Sequence, residues 1–211
     1  WGTIYVEDGE LNFHQDNSQY VDLNCELYMS GGVFNIYGGS DDSYWSYAND
    51  VELHMQGGVL DFKDVGVRIY DGSYNFWYEA QEGTVRTAGN LFNDRYDFNP
   101  THGNFEMYGP AETQLYCATN GSFFNINIDK NATKSVGKSY ILTNPRIPSD
   151  PLLNPKANDV ALTNNLTISG DMTITSGSLD LNGYVLIVGN DLVINDLLIM
   201  NDPGDIAHIY G

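Results

Sequence analysis

The segment Leu23–Ile36, LNCELYMSGGVFNI, has a second copy at Asp50–Phe62, DVELHMQGGVLDF. The two copies share a glutamate, a leucine, a methionine, a glycine pair and a valine at matching positions, which sets Glu26 against Glu52. Self-similarity at a period of about 20 to 50 residues is typical of repeat architectures. Alternating apolar residues before the glycine pair predict a β-strand, and the glycines predict a tight corner. The repeating unit is therefore strand, glycine corner, strand and connection.

The same alternation of short apolar strands and corners continues along the chain. After Leu162 the apolar pairs recur every six or seven residues, separated by corners such as Ser169–Gly170 and Asn182–Gly183. Three such strands predict a triangular turn of about 20 residues. A β-sandwich would instead join consecutive antiparallel strands by two-residue hairpins. Since aligned strands carry like residues at like positions, we expect an all-β fold, a β-solenoid with long side loops and uncapped ends.

The sequence divides into three regions. Residues 1–128 are expected to form β-helix turns with long side loops, and residues 159–211 to continue the same solenoid in shorter, more regular turns. Between them, residues 129–158 are rich in lysine and contain four prolines between Pro145 and Pro155. Because proline cannot donate to a strand ladder, this region is predicted to be an excursion from the solenoid.

The charge of the chain excludes several classes of partner. Its 211 residues include 28 acidic and 9 basic side chains, for a net charge of −19. Nucleic acids and anionic membranes both favour basic patches, so neither is expected as a partner. No apolar run is long enough to insert into a membrane. The two cysteines, Cys25 and Cys117, are too few for a disulfide framework and are predicted to be buried free thiols.

The C-terminal part resembles a known class of repeats. The phrase SGSLDLNGYVL, Ser176–Leu186, is the most characteristic part of a likeness that covers Leu162–Gly211 well and the earlier glycine corners loosely. It resembles the right-handed parallel β-helix repeats of very large secreted bacterial surface proteins of the adhesin type. This resemblance implies a right-handed parallel β-helix, a location outside a bacterial cell or on its surface, and a structural or adhesive role.

Two aromatic residues are candidates for ligand binding. Trp45 and Tyr47 lie in a polar insertion between the two best copies, and their rings could stack on sugars of cell-surface glycans. The alternative is that these aromatics pack a long loop onto the side of the solenoid.

Acidic residues at two places are candidates for calcium, which prefers oxygen ligands. Asp41, Asp42 and Asp50 bracket the polar insertion, and Asp202 and Asp205 bracket a late corner. The alternative is that they are solvated acids of turns.

An enzyme of the β-helix class, a polysaccharide lyase or glycoside hydrolase, is left open by the fold. A polygalacturonase-like site needs clustered aspartates, then His-Gly, then Arg-Ile-Lys. Asp41–Asp42, Arg68–Ile69 and His102–Gly103 are present, but in the wrong order, and Tyr70 replaces the lysine. We therefore expect no enzymatic activity.

The leading hypothesis is an extracellular structural or adhesive solenoid that stacks head to tail through its open ends into a surface fibre. The alternative is a carbohydrate-active enzyme or a carbohydrate-binding module.

Overall fold

The computed structural model describes residues 2–14, 25–38, 51–63, 66–69, 76–130 and 159–211. These residues form β-strands and contain no helix, and hence none that is long and apolar enough to cross a membrane. The strands are β1 Thr3–Val6, β2 Glu10–His14, β3 Glu26–Met29, β4 Val33–Tyr37, β5 Val51–Met55, β6 Val59–Phe62, β7 Val67–Ile69, β8 Phe76–Ala80, β9 Thr84–Thr87, β10 Leu91–Asn93, β11 Asn104–Tyr108, β12 Thr113–Cys117, β13 Asn125–Asp129, β14 Asp159–Leu162, β15 Leu166–Ile168, β16 Met172–Ser176, β17 Ser178–Asp180, β18 Val185–Val188, β19 Leu192–Ile194, β20 Leu197–Ile199 and β21 Ile206–Ile209.

These strands stack into four sheets in which every pairing is parallel and joins one turn to the next. Sheet A has the order β1-β3-β5-β8, sheet B the order β2-β4-β6-β9-β11-β13-β16-β19, sheet C the order β7-β10-β12-β14-β17-β20 and sheet D the order β15-β18-β21. A strand of sheet A precedes the sheet B strands β2, β4, β6 and β9, and a strand of sheet D precedes β16 and β19, so sheets A and D belong to the same side of the molecule. The predicted all-β parallel solenoid is confirmed.

The register follows the sequence repeat. Glu26 pairs with Glu52 and Met29 with Met55 in sheet A, as the alignment of the two copies predicts. In the C-terminal part Leu166 pairs with Leu186, which gives the predicted turn of 20 residues. Sheet C pairs β12 with β14 and sheet B pairs β13 with β16, so both ladders continue on either side of residues 131–158.

The glycine corners are required by close contact between turns. Gly58 has a φ of +80°, and a Cβ built on it would lie 2.5 Å from the carbonyl oxygen of Gly31 in the preceding turn. A side chain there would meet both an unfavourable backbone conformation and a backbone atom that cannot move aside. The glycine pairs therefore stack on one another directly.

The side chains that point into the solenoid form one continuous core, and the type of side chain in it changes along the chain. Up to residue 130 the buried side chains include large aromatic rings such as Phe34, Phe62 and Phe105. From residue 159 onward the buried hydrophobic side chains are those of valine, leucine, isoleucine and methionine. These buried residues are Val160, Leu162, Leu166, Ile168, Met172, Ile174, Leu179, Leu181, Leu186 and Val188.

The two cysteines are free thiols, as predicted. Cys117 is fully buried, whereas Cys25 is only half-buried. Burial raises the pKa of Cys117 to about 11, although the Asn93 side-chain amide donates a hydrogen bond to its sulfur at 3.4 Å. This thiol therefore stays protonated at neutral pH.

The side shared by sheets A and D is interrupted between β8 and β15. We call this interruption the seam: residues 94–103 cross it without strand structure, and Phe123 makes an isolated parallel bridge to Ile168. Beneath the seam Phe123 packs edge-on against Phe105, with 5.0 Å between ring centroids. Tyr78 lies in the same aromatic cluster, and its burial raises the pKa of its hydroxyl well above the ordinary value. The space beneath the seam is thus filled by packed aromatic rings.

Candidate functional site

The residues that the sequence singles out for ligands lie mostly outside the described residues. These are Trp45 and Tyr47 for sugars and Asp41, Asp42 and Asp50 for calcium.

Asp202 and Asp205, the second calcium candidate, are described and form part of a corner. The Asp205 carboxylate accepts hydrogen bonds from the backbone N–H groups of Gly183 and Asp202, both at 2.7 Å. One oxygen of Asp205 therefore joins its corner to the preceding turn, and the other closes the corner itself. Among the described residues there is no group of three or more His, Cys, Asp or Glu side chains that could hold a metal ion.

The described residues that match parts of the polygalacturonase pattern, Arg68 and His102, lie at different positions around the solenoid turn. Arg68 lies on the outer face of sheet C, where it forms an ion pair with Asp94. His102 lies just before β11, with its ring 5.7 Å from that of Phe124 beside the seam. Asp41 and Asp42 are outside the described residues.

The outer face of sheet A carries an aromatic column along the solenoid. Tyr5, Tyr28 and His54 come from successive turns, and their rings stack at 5.1 Å and 4.5 Å with interplanar angles of 18° and 3°. Because Tyr5 and His54 cover the two faces of the Tyr28 ring, Tyr28 presents mainly its ring edge to solvent. Partial desolvation, and then the nearby charges of Glu26 and Glu52, raise the pKa of Tyr28. The column therefore links three successive turns through contacts between rings.

The column ends in a histidine held between two carboxylates. The Nδ1 atom of His54 is 3.2 Å from Glu79 and the Nε2 atom is 3.2 Å from Glu52. A neutral imidazole donates through only one nitrogen, so both contacts are hydrogen bonds only when both nitrogens carry protons. The adjacent groove has a volume of about 240 Å³ and is also lined by Gln56 and Gln81.

Sheet B carries a buried charged cluster on its outer face. Asp61 is fully buried and accepts hydrogen bonds from Arg86 at 2.6 Å and from the Tyr108 hydroxyl at 2.7 Å. Lys63 lies 2.5 Å from the same carboxylate. Desolvation opposes the charge of Arg86, but the hydrogen bond and the charge of Asp61 prevail, and its pKa is raised. This cluster ties three successive turns together.

The larger cavity lies at the seam, and we call it the seam cleft. It has a volume of about 480 Å³ and is lined by Asn99, Pro100, Thr101, Asn120, Gly121, Ser122, Phe124, Thr167 and Ser169. Its walls come from the crossing segment, from the corner after β12, and from β15 with the residue that follows it. In the sequence these residues carry only turn signals, Asn99–Pro100 and Asn120–Gly121, and nothing marks them as neighbours.

Comparison with known protein families, curated proteins and solved structures finds no match for this chain.

Proposed function

We propose that the protein is an extracellular structural and adhesive β-solenoid whose copies stack end to end into a fibre. The observation that carries this proposal is the exposure of core positions in the outermost described turns. Leu11 and Phe13 in β2 are 41% and 44% exposed, and Ile194 in β19 is 44% exposed. Their equivalents one turn further in, such as Phe34 and Ile174, are buried.

These outermost strands also have the chemistry needed to pair. β2 and β19 are the two edge strands of sheet B, so pairing between copies would extend the same parallel ladder. Unpaired strand edges with apolar side chains readily add further strands. A contact between the two different ends of a subunit that repeats along the solenoid axis does not close into a ring, and it produces filaments.

The charge distribution predicts how this association responds to ions. Residues 1–62 and 157–211 contain no lysine or arginine, so both ends of the sequence are anionic. Like charges at a stacked junction oppose association, and the repulsion falls with ionic strength. Calcium held between carboxylates would reduce it further.

The test is negative-stain electron microscopy of the purified chain, with calcium and with chelator. We expect long fibres for the wild type, promoted by calcium. Ile194→Asp places a charge at the proposed junction and should leave single rods. Tyr96→Asp is the matched control, because it makes the same charge change at a residue that is 60% exposed in the crossing segment. Single rods under all conditions, or equal fibres from both variants, would contradict end-to-end stacking.

A carbohydrate-binding module is the second candidate, and the seam cleft is the observation that favours it. The polysaccharide-active enzyme remains a hypothesis that rests on Asp41 and Asp42, which lie outside the described residues. Depolymerisation of an acidic polysaccharide that is lost in Asp42→Asn would establish that activity.

A further inference from the structure

We infer that the seam cleft binds an uncharged, hydroxyl-rich ligand, a short segment of a neutral glycan chain. This inference rests on the adhesive part of the proposed function and names its ligand class and its site.

The size of the cleft suits such a ligand. Binding sites for small molecules generally occupy about 300 to 1,000 Å³. The seam cleft, at about 480 Å³, falls in this range, whereas the groove beside His54, at about 240 Å³, falls below it. The groove is also bordered by Glu7 and Glu79, both of which are acids.

The charge of the cleft selects against ionic ligands. The chain has a net charge of −19, yet the described residues that line the cleft are all uncharged. An anionic ligand would find no cationic partner among them, and a cationic ligand no carboxylate. Amides and hydroxyls, by contrast, both donate and accept hydrogen bonds, as sugar hydroxyls do.

Several polar groups in the cleft are available to a ligand. Neither the Thr167 hydroxyl nor the Asn120 amide forms a hydrogen bond within the described part of the chain. The Asn99 side-chain oxygen accepts a hydrogen bond from Ser122 at 2.9 Å, which orients its amide while leaving the NH₂ donors free. The half-buried ring of Phe124 adds an apolar surface for the C–H face of a sugar ring.

The backbone of the cleft is fixed before any ligand arrives. Asn120 has a left-handed φ of 70°, and a Cβ on the following Gly121 would lie 2.5 Å from the carbonyl oxygen of Arg95. Pro100 restricts Asn99 to extended conformations. A rigid site loses little conformational entropy on binding, so a few hydrogen bonds suffice for measurable affinity.

The experiment is direct binding of the full chain to immobilised neutral gluco-, manno-, galacto- and xylo-oligosaccharides, with oligogalacturonate as the anionic comparison. We expect binding to at least one neutral series and none to oligogalacturonate. Thr167→Val removes one hydroxyl without changing side-chain shape and should weaken binding about fivefold. Asn120→Asp keeps the shape, tolerates the backbone conformation and should also weaken it. Thr173→Val on the outer face of sheet B is the matched control and should bind as the wild type.

Each outcome decides the inference. No binding to any neutral series, a preference for oligogalacturonate, or equal effects of Thr167→Val and Thr173→Val would overturn it. Competition by the free monosaccharide as strong as by its oligosaccharide would indicate a small sugar and overturn the assignment to glycan chains. Measurement on the wild type separates the two proposals: fibres without glycan binding overturn only the cleft assignment, and glycan binding by single rods under all conditions overturns only the stacking. Ile194→Asp should remain as single rods and bind glycan as the wild type does.

Discussion

Lys130 provides a sharp test of how this solenoid tolerates charge in its interior. The residue follows β13 and is fully buried, and its Nζ donates a hydrogen bond to the backbone carbonyl of Tyr108 at 3.1 Å. Burial lowers its pKa from 10.5 to about 8. The ammonium is therefore present at neutral pH in a site that disfavours it. Lys130→Met keeps the length of the side chain and removes this charge.

The expected gain in stability follows from the pKa difference. One pKa unit corresponds to about 1.36 kcal/mol, so burial disfavours the charged form by about 3 kcal/mol relative to the neutral form. Loss of the hydrogen bond from the charged ammonium to the carbonyl offsets about 2 kcal/mol. We therefore expect Lys130→Met to raise the free energy of unfolding by about 1 kcal/mol at pH 7.

The pH dependence gives the sign of the effect. Between pH 8 and pH 10.5 the unfolded chain binds more protons at this lysine than the folded chain, so the wild type gains stability as the pH rises. The advantage of Lys130→Met should disappear over that range. Cys117 has the opposite effect on stability. Because its pKa is raised from 9.0 to about 11 in the folded state, the free energy of unfolding falls as the pH rises between those values. This effect is the same in wild type and variant, so it cancels in the difference between their free energies of unfolding.

Urea unfolding curves at pH 7, 8, 9 and 10, monitored by tryptophan fluorescence, measure the effect. Lys130→Arg is the matched variant, since a guanidinium cannot lose its proton in this range. It should become progressively less stable than the wild type as the pH rises above 8. If Lys130→Met changes neither the stability at pH 7 nor its pH dependence, then the ammonium is solvated and the reasoning is wrong.

Three further predictions test the contacts between turns. Asp61→Asn should lower the free energy of unfolding by about 2 to 4 kcal/mol, because the carboxylate is buried beside two cations. The control Asp97→Asn, at a carboxylate that is 49% exposed, should lower it by less than about 1 kcal/mol. Equal losses in urea unfolding would contradict the role of the buried cluster. Gly58→Ala should lower the melting temperature more than Gly183→Ala, since both glycines have positive φ but only Gly58 faces a backbone atom; similar melting temperatures would show that contact is not the cause. Iodoacetamide at pH 8 should modify the buried thiol of Cys117 only when the protein unfolds. A rate of modification in the native protein equal to that in the denatured chain, measured by mass spectrometry, would refute the burial of this thiol.

The register of the solenoid could be predicted from the sequence because neighbours in space are one turn apart in the chain. The pairing of Glu26 with Glu52 and of Leu27 with Leu53 therefore appears in the sequence as a repeat. The glycine corners could be predicted for the same reason, since the pair Gly57–Gly58 contacts the pair Gly31–Gly32 of the preceding turn.

The seam cleft could not be predicted, because it forms where the repeat is interrupted. Asn99, Asn120 and Thr167 are separated by 21 and 47 residues and share no pattern, so only the path of the chain brings them together. The buried cluster was missed for a related reason. Asp61 and Arg86 pair across turns as unlike residues, and a search for repeated residues passes over them.

The change from an aromatic to an aliphatic core has a consequence for how the chain finds its fold. In a solenoid of identical turns, a strand could settle one whole turn out of place and still bury its apolar side chains. Here such a slip would set Phe105 into space now filled by the smaller Ile126, and Phe123 into space now filled by the smaller Ile168. Overpacking of a filled core costs about 1 to 3 kcal/mol for each enlarged side chain. The change in core side-chain size along the chain therefore disfavours pairing of a strand with the wrong turn, although all turns share the same pattern of apolar residues.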